Sequence, residues 1–102
     1  MKTIQAQAIP IQAQQTIEIP VFAKFLSVVL DIRHNHCLFW LLADDEREPG
    51  RKMEKAEIFI LRAGDALNPP NATFVASFKD NSGWRHVFTL RESDDVMAIL
   101  RP

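Results

Sequence analysis

Apolar and polar residues alternate one by one along this chain, in short segments that proline and glycine cut off. Thr16-Ile17-Glu18-Ile19-Pro20 is the plainest case. A period of two puts successive side chains on opposite faces of an extended backbone. It marks half-buried strands and argues against an amphipathic helix, whose period is about 3.6. The stops are Pro10, Pro20, Pro49-Gly50, Gly64, Pro69-Pro70, Gly83 and Pro102. Between these marks the pattern is short and alternating.

Residues 3–9 place Ile4, Ala6 and Ala8 on one face and Gln5 and Gln7 on the other. Residues 16–19 follow, and the short Gln12-Ala13-Gln14 link between them predicts a hairpin. Pro10 has no N–H to donate, which suits a sheet edge or a bulge. Residues 25–32 put Leu26, Val28, Leu30 and Ile32 on one face. Residues 37–43, Cys-Leu-Phe-Trp-Leu-Leu-Ala, are apolar on both faces. A short helix could carry this run, but its shortness and two adjacent aromatics favour a strand, one covered on both sides or showing one face to a partner. Residues 44–55 are charged and hold Pro49-Gly50, which predicts a solvated loop. Strands return over 56–63, 74–78 and 84–90. In the last, Trp84, His86 and Phe88 share a face, expected to point inward with Arg85 solvated outside. Beyond them, Ser93-Asp94-Asp95 either caps a short helix over 96–100 or leads into a final strand.

The expected fold is therefore all-β, or β-rich with one short C-terminal helix: a small antiparallel β-sandwich or barrel of about seven strands. The 102 residues suit a single domain spanning 1–102. A domain of this size buries roughly two-thirds of its unfolded surface and needs no disulfide staples. There is one cysteine, Cys37, which favours a reducing, cytoplasmic setting. No apolar run approaches the ~20 residues needed to span a bilayer, so no membrane partner is expected. The 12 basic and 13 acidic residues leave a net charge of −1. Nucleic-acid binding wants a cationic surplus, so nucleic acid is not an expected partner.

Five clusters carry the chemistry there is. His34-Asn35-His36-Cys37 holds metal-ligand types, but a strand would turn Cys37 away from the histidines, and structural zinc wants convergent ligands. The same tetrapeptide makes a good polar turn, with Asn35 in the left-handed conformation. No metal and no cofactor is expected. Cys37 as a nucleophile lacks an oxyanion loop, and burial would raise its pKa. Asp44, Asp45, Glu46 and Glu48 are interleaved with Arg47, Arg51, Lys52 and Lys55, as in a solvated loop. Trp84 and Arg85, with Arg62, are the residue types of a ligand or stacking site. Leu38, Trp40 and Leu42 form the second apolar face of their strand. They need cover from a second sheet, from the C-terminal segment, or from another protein. With three glycines and no Gly-x-Gly, nothing suggests a phosphate loop.

Ile17-Glu18-Ile19-Pro20, Ala23-Lys24-Phe25-Leu26-Ser27-Val28, Cys37-Leu38-Phe39-Trp40 and His86-Val87-Phe88 occur in this order over nearly the whole chain. Together they resemble a family of small uncharacterised proteins encoded by phages and prophages. Two places depart from the family pattern. Its Gly-Thr-Gly turn is Arg62-Ala63-Gly64 here, and Arg85 stands where it has tryptophan, with Trp84 one residue earlier. The resemblance implies a mobile-element origin and a fold, not a reaction. With a two-faced apolar strand and no catalytic set, the function expected is non-enzymatic protein interaction, with a protein partner or as a homodimer, through Leu38, Trp40 and Leu42 or, for a dimer, through a sheet edge. The alternative is a small-molecule module for a nucleotide-like ligand at Trp84, Arg85 and Arg62.

Overall fold

A computed structural model describes residues 1–94. Among these, seven strands account for most of the chain: β1 (Lys2–Pro10), β2 (Gln14–Pro20), β3 (Lys24–Asp31), β4 (His36–Asp44), β5 (Met53–Leu61), β6 (Thr73–Asp80) and β7 (Gly83–Arg91). They form a β-sandwich of a three-stranded sheet, β1-β4-β3, and a four-stranded sheet, β2-β5-β7-β6. Every pairing is antiparallel. The core between the sheets holds Ile9 and Phe39 from one side and Ile19, Ile58 and Val87 from the other. Residues 92–94 turn helical after β7. The expected cap and the 96–100 helix or strand lie outside the described residues.

The hairpin expected between β1 and β2 does not form. β1 pairs over its whole length with β4, and β2 with β5. The link between them crosses from one sheet to the other, held where Ile60 N–H donates to the Ala13 carbonyl at 3.1 Å. Crossing lets Ile9 and Ile19 enter one core from opposite sheets; a hairpin would have laid both on one. The true hairpins are β3–β4 and β6–β7. The first turns through Asn35, which takes the left-handed conformation at φ 53°. Pro10 and Pro20 end strands at sheet edges, where a missing N–H costs no ladder bond.

Three further expectations change. A bulge between Phe25 and Ser27 shifts the phase of β3. Phe25 joins the core side, edge-on to Phe39 with ring centroids 5.7 Å apart, while Leu26 is exposed. A bulge adds one residue to one strand, and everything before it changes face. In β7 the faces are the reverse of those expected. Val87 and Thr89 are buried and Arg85 is largely so, while Trp84 stands out in solvent. The inward arginines are tolerated because carboxylates meet them: Asp80 Oδ2 lies 2.9 Å from Arg85 Nε, and Glu54 Oε2 3.1 Å from Arg91 Nη2. The charged loop is also shorter than 44–55. Asp44 closes β4, Glu54 is buried in β5, and Asp45 is buried beside Arg47.

Candidate functional site

β4 is the middle strand of its sheet and has two apolar faces. One phase, Cys37, Phe39, Leu41 and Ala43, faces the core and is buried. The other phase, Leu38, Trp40 and Leu42, lies on the outside of the sheet. Register assembles its neighbours. Ile4 sits opposite Leu42, Ala6 opposite Trp40 and Ala8 opposite Leu38 on the β1 side. On the β3 side, Lys24, Ser27 and Val29 oppose Leu42, Trp40 and Leu38. The apolar phase of β1 therefore points outward, and its glutamines point the other way. They are satisfied there: Gln5 Nε2 donates to the Asp44 carbonyl at 2.9 Å, and Gln7 Nε2 to the Glu18 carbonyl at 3.2 Å.

The result is an aliphatic outer face with one tryptophan at its centre. Ile4 is 66% exposed, Val29 47% and Trp40 36%; Leu38 and Leu42 are half-buried by their neighbours. No described residue covers this face. Burying it would release each such side chain from water, worth about 1.5–3 kcal/mol for a fully buried one. Charges stand toward its ends and along the free edge of β1, where Asp45, Glu46 and Arg47 share a hollow with Ile4 and Ala6. Lys2 Nζ meets Asp44 Oδ1 at 3.0 Å at one end, next to Lys24 in the adjoining row. Asp31 and His36 are opposite one another at the other end. Asp31 sits 2.9 Å from His34 Nδ1, and that hydrogen bond holds its carboxyl below the ordinary value.

The second candidate set does not come together. Trp84 lies on the outer face of the four-stranded sheet; Arg85, one step along, lies on the other. Arg85 lines a cleft of about 350 Å³ between the β3–β4 and β6–β7 turns, with Leu30, Asn35, Asp80 and Ser82. Arg62 reaches the edge of the same cleft, its Nη2 3.2 Å from Ser82 Oγ. Asp80 already neutralises Arg85. Two hydrogen bonds from Ser82, then the Arg85 charge, hold Asp80 below its ordinary carboxyl range.

The tetrapeptide at the β3–β4 turn divides as strand geometry requires. His34 is in the turn, His36 on the outer face, and Cys37 fully buried on the core side. Burial pushes the Cys37 thiol up to about 11, so it is not a thiolate near neutral pH. Among the described residues, His, Cys, Asp and Glu side chains do not gather in threes as a metal would need. Ser77 Oγ lies 2.8 Å from His86 Nδ1, a cross-strand pair on the outer face of the four-stranded sheet. No described carboxylate bonds the other ring nitrogen. No described helix is long and apolar enough to cross a membrane.

One polar cluster escaped sequence reasoning. Glu54 accepts hydrogen bonds from the N–H groups of Phe22 (3.1 Å) and Ser93 (3.0 Å) and from Arg91. Arg91 also donates to the Ala23 carbonyl at 2.6 Å and lies over the Phe25 ring at 5.4 Å. Phe22 is held at φ 60°, a conformation unusual for a bulky residue. Burial alone would raise the Glu54 carboxyl, but these donors outweigh it and the net is below the ordinary value. The signal was its phase: Glu54 is in step with Ala56, Ile58 and Ile60. The cluster ties β5, β7 and the β2–β3 turn together. A hollow of about 390 Å³ opens beside it, lined by Phe22, Phe25, Arg91 and Ser93 among others, and among the described residues the buried Arg91 Nε finds no hydrogen-bond partner.

A sequence model of the family described as Domain of unknown function (DUF7352) matches residues 1–97. No curated protein matches the chain, and no solved structure does.

Proposed function

We propose that this chain, which belongs to the family of unknown function just matched, is a non-enzymatic protein-interaction domain whose binding surface is the outer face of β1-β4-β3. The observation that supports this most is the aliphatic field around Trp40, formed where two apolar strand phases meet and the rows through Trp40 and Leu38 carry no charge. Exposed apolar surface of this kind costs solubility and marks contact sites. Tryptophan at the middle of such a patch is the residue type most enriched at binding hot spots.

The remainder of the reading rests on the sequence. The phage-like order of motifs suggests a phage or prophage product, acting as a host-directed inhibitor or an accessory protein. The single cysteine suits the cytoplasm. The alternative, a module for a nucleotide-like small molecule, is weaker. It needs Trp84, Arg85 and Arg62 on one wall, whereas Trp84 faces away and Asp80 occupies Arg85.

Site-specific photo-crosslinking in cells tests the proposal. A photoreactive residue at position 42 is expected to give a discrete protein adduct, and one at position 16, on the outer face of the other sheet, to give none. Adducts from position 16 alone, or from neither position, would overturn it.

A further inference from the structure

Resting on that reading, we infer that the partner is a second copy of this chain, packed face to face about a two-fold axis that crosses β4 at Trp40. The register supplies the argument. Seen from outside, the face is five rows across the strands β1, β4 and β3. The first is Lys2–Asp44; then come Ile4–Leu42–Lys24, Ala6–Trp40–Ser27, Ala8–Leu38–Val29, and finally Pro10–His36–Asp31.

A symmetric contact between two copies must set one patch against itself. An axis perpendicular to β4 through Trp40 keeps the middle row on itself and exchanges the rows on either side. Ile4 then meets the partner copy's Ala8, large against small, and Leu42 meets Leu38. The end rows also match. Asp44 faces His36, and the Lys24 side chain, long enough to span one row, reaches toward Asp31. The other in-plane axis, along β4, sets each row on itself. It would put Asp44 on Asp44; Lys24 falls on an aliphatic side chain either way, Val29 under the first axis and Ile4 under this one. Like charges brought together across an interface cost several kcal/mol, so the charge pattern selects the first axis. Sheets packed face to face tolerate it with a crossing of about 30°.

Size sets the expected strength. Strands ~4.8 Å apart and residues ~3.4 Å apart give a face of roughly 14 by 30 Å. That is smaller than the ~800 Å² per partner of a standard interface. The dimer is therefore expected in the micromolar range, and to exchange quickly.

Sedimentation equilibrium of the purified chain tests this up to hundreds of micromolar. A reversible monomer–dimer equilibrium is expected for the wild type, and a monomer for Trp40→Asp. Lys24→Asp and Asp31→Lys are each expected to weaken the dimer about tenfold, and the double variant to restore it to within about threefold. A wild-type monomer throughout overturns the self-pairing, as does a dimer that survives Trp40→Asp. Two weakening single reversals without rescue overturn the axis. The broader reading fails separately. A monomer that still gives an adduct to a different protein from position 42 removes only the self-pairing; a monomer with no adduct from that position removes both.

Discussion

The outer faces of the two sheets are built by the same alternation and end up chemically different. On the four-stranded sheet, polar and charged neighbours face one another across the strands, Thr16 opposite Glu57 and Glu18 opposite Lys55, and Lys79 stands opposite Trp84. Its aromatic residues also have each other, with Phe74 and Phe88 edge to face at 5.6 Å. On the three-stranded sheet the rows through Trp40 and Leu38 are uncharged, and Trp40 has no aromatic partner among the described residues. An exposed aromatic is therefore not informative by itself. Trp84 is more exposed than Trp40, yet it stands beside a lysine on a mixed surface. What distinguishes Trp40 is that its neighbours on both flanking strands are apolar or small.

The comparison holds only while the sandwich does, so the largest effect lies in what binds the sandwich together. Arg91→Ala would strand the buried Glu54 carboxylate and remove the stacking on Phe25. A loss of about 3 kcal/mol in chemical denaturation is expected; a loss below about 1 kcal/mol would mean the cluster is solvated in solution.

Acid should loosen the sandwich next. Glu54, Asp45 and Asp80 all sit below their ordinary values of 4.5, 3.8 and 3.8. For Glu54, burial opposes the donors from Ser93, Arg91 and Phe22; for Asp45 the leading cause is the Arg47 side chain, and for Asp80 the Ser82 hydroxyl. Each binds its proton more weakly in the folded chain than in the unfolded one. Stability is thus fully present above the ordinary values and falls as the pH drops through the folded ones. Denaturant midpoints at neutral pH and at about pH 3 should show a clear decrease. An unchanged midpoint would contradict the carboxylate pairings.

The smallest stability effects belong to the two outer tryptophans, and there the comparison sharpens. Trp40→Ser is expected to cost about 1 kcal/mol of folding stability, and Trp84→Ser less than about 0.5 kcal/mol. Neither should unfold the chain. Only the first should abolish association, measured by light scattering on a sizing column. Loss of association in both would mean that the two faces are not functionally distinct.

Much of this is legible in the sequence itself. Alternation and Pro/Gly stops located all seven strands to within a few residues, because period two is a local property of the backbone. Asn35 was legible as a left-handed turn residue for the same reason. The sheet to which each strand belongs was not. β1 finds β4 some thirty residues away, and a short link looks the same whether it turns back or crosses over. The inward phase of β7 was hidden because both of its faces carry apolar residues. Its arginines become tolerable only beside Asp80 and Glu54, which distant pairings supply. The Leu38, Trp40 and Leu42 stripe was visible, but its width was not: that depended on β1 turning Ile4, Ala6 and Ala8 outward beside it.

The two tryptophans, one on each sheet's outer face, permit the most direct measurement. In a Trp84→Phe variant the fluorescence of Trp40 alone is followed as protein concentration rises, with acrylamide as quencher; a Trp40→Phe variant reports Trp84 alone. The account expects Trp40 emission to shift to the blue and its quenching to fall as the face is covered, with Trp84 unchanged. A Trp84 signal that responds while Trp40 stays constant would contradict the claim that the three-stranded sheet carries the binding surface.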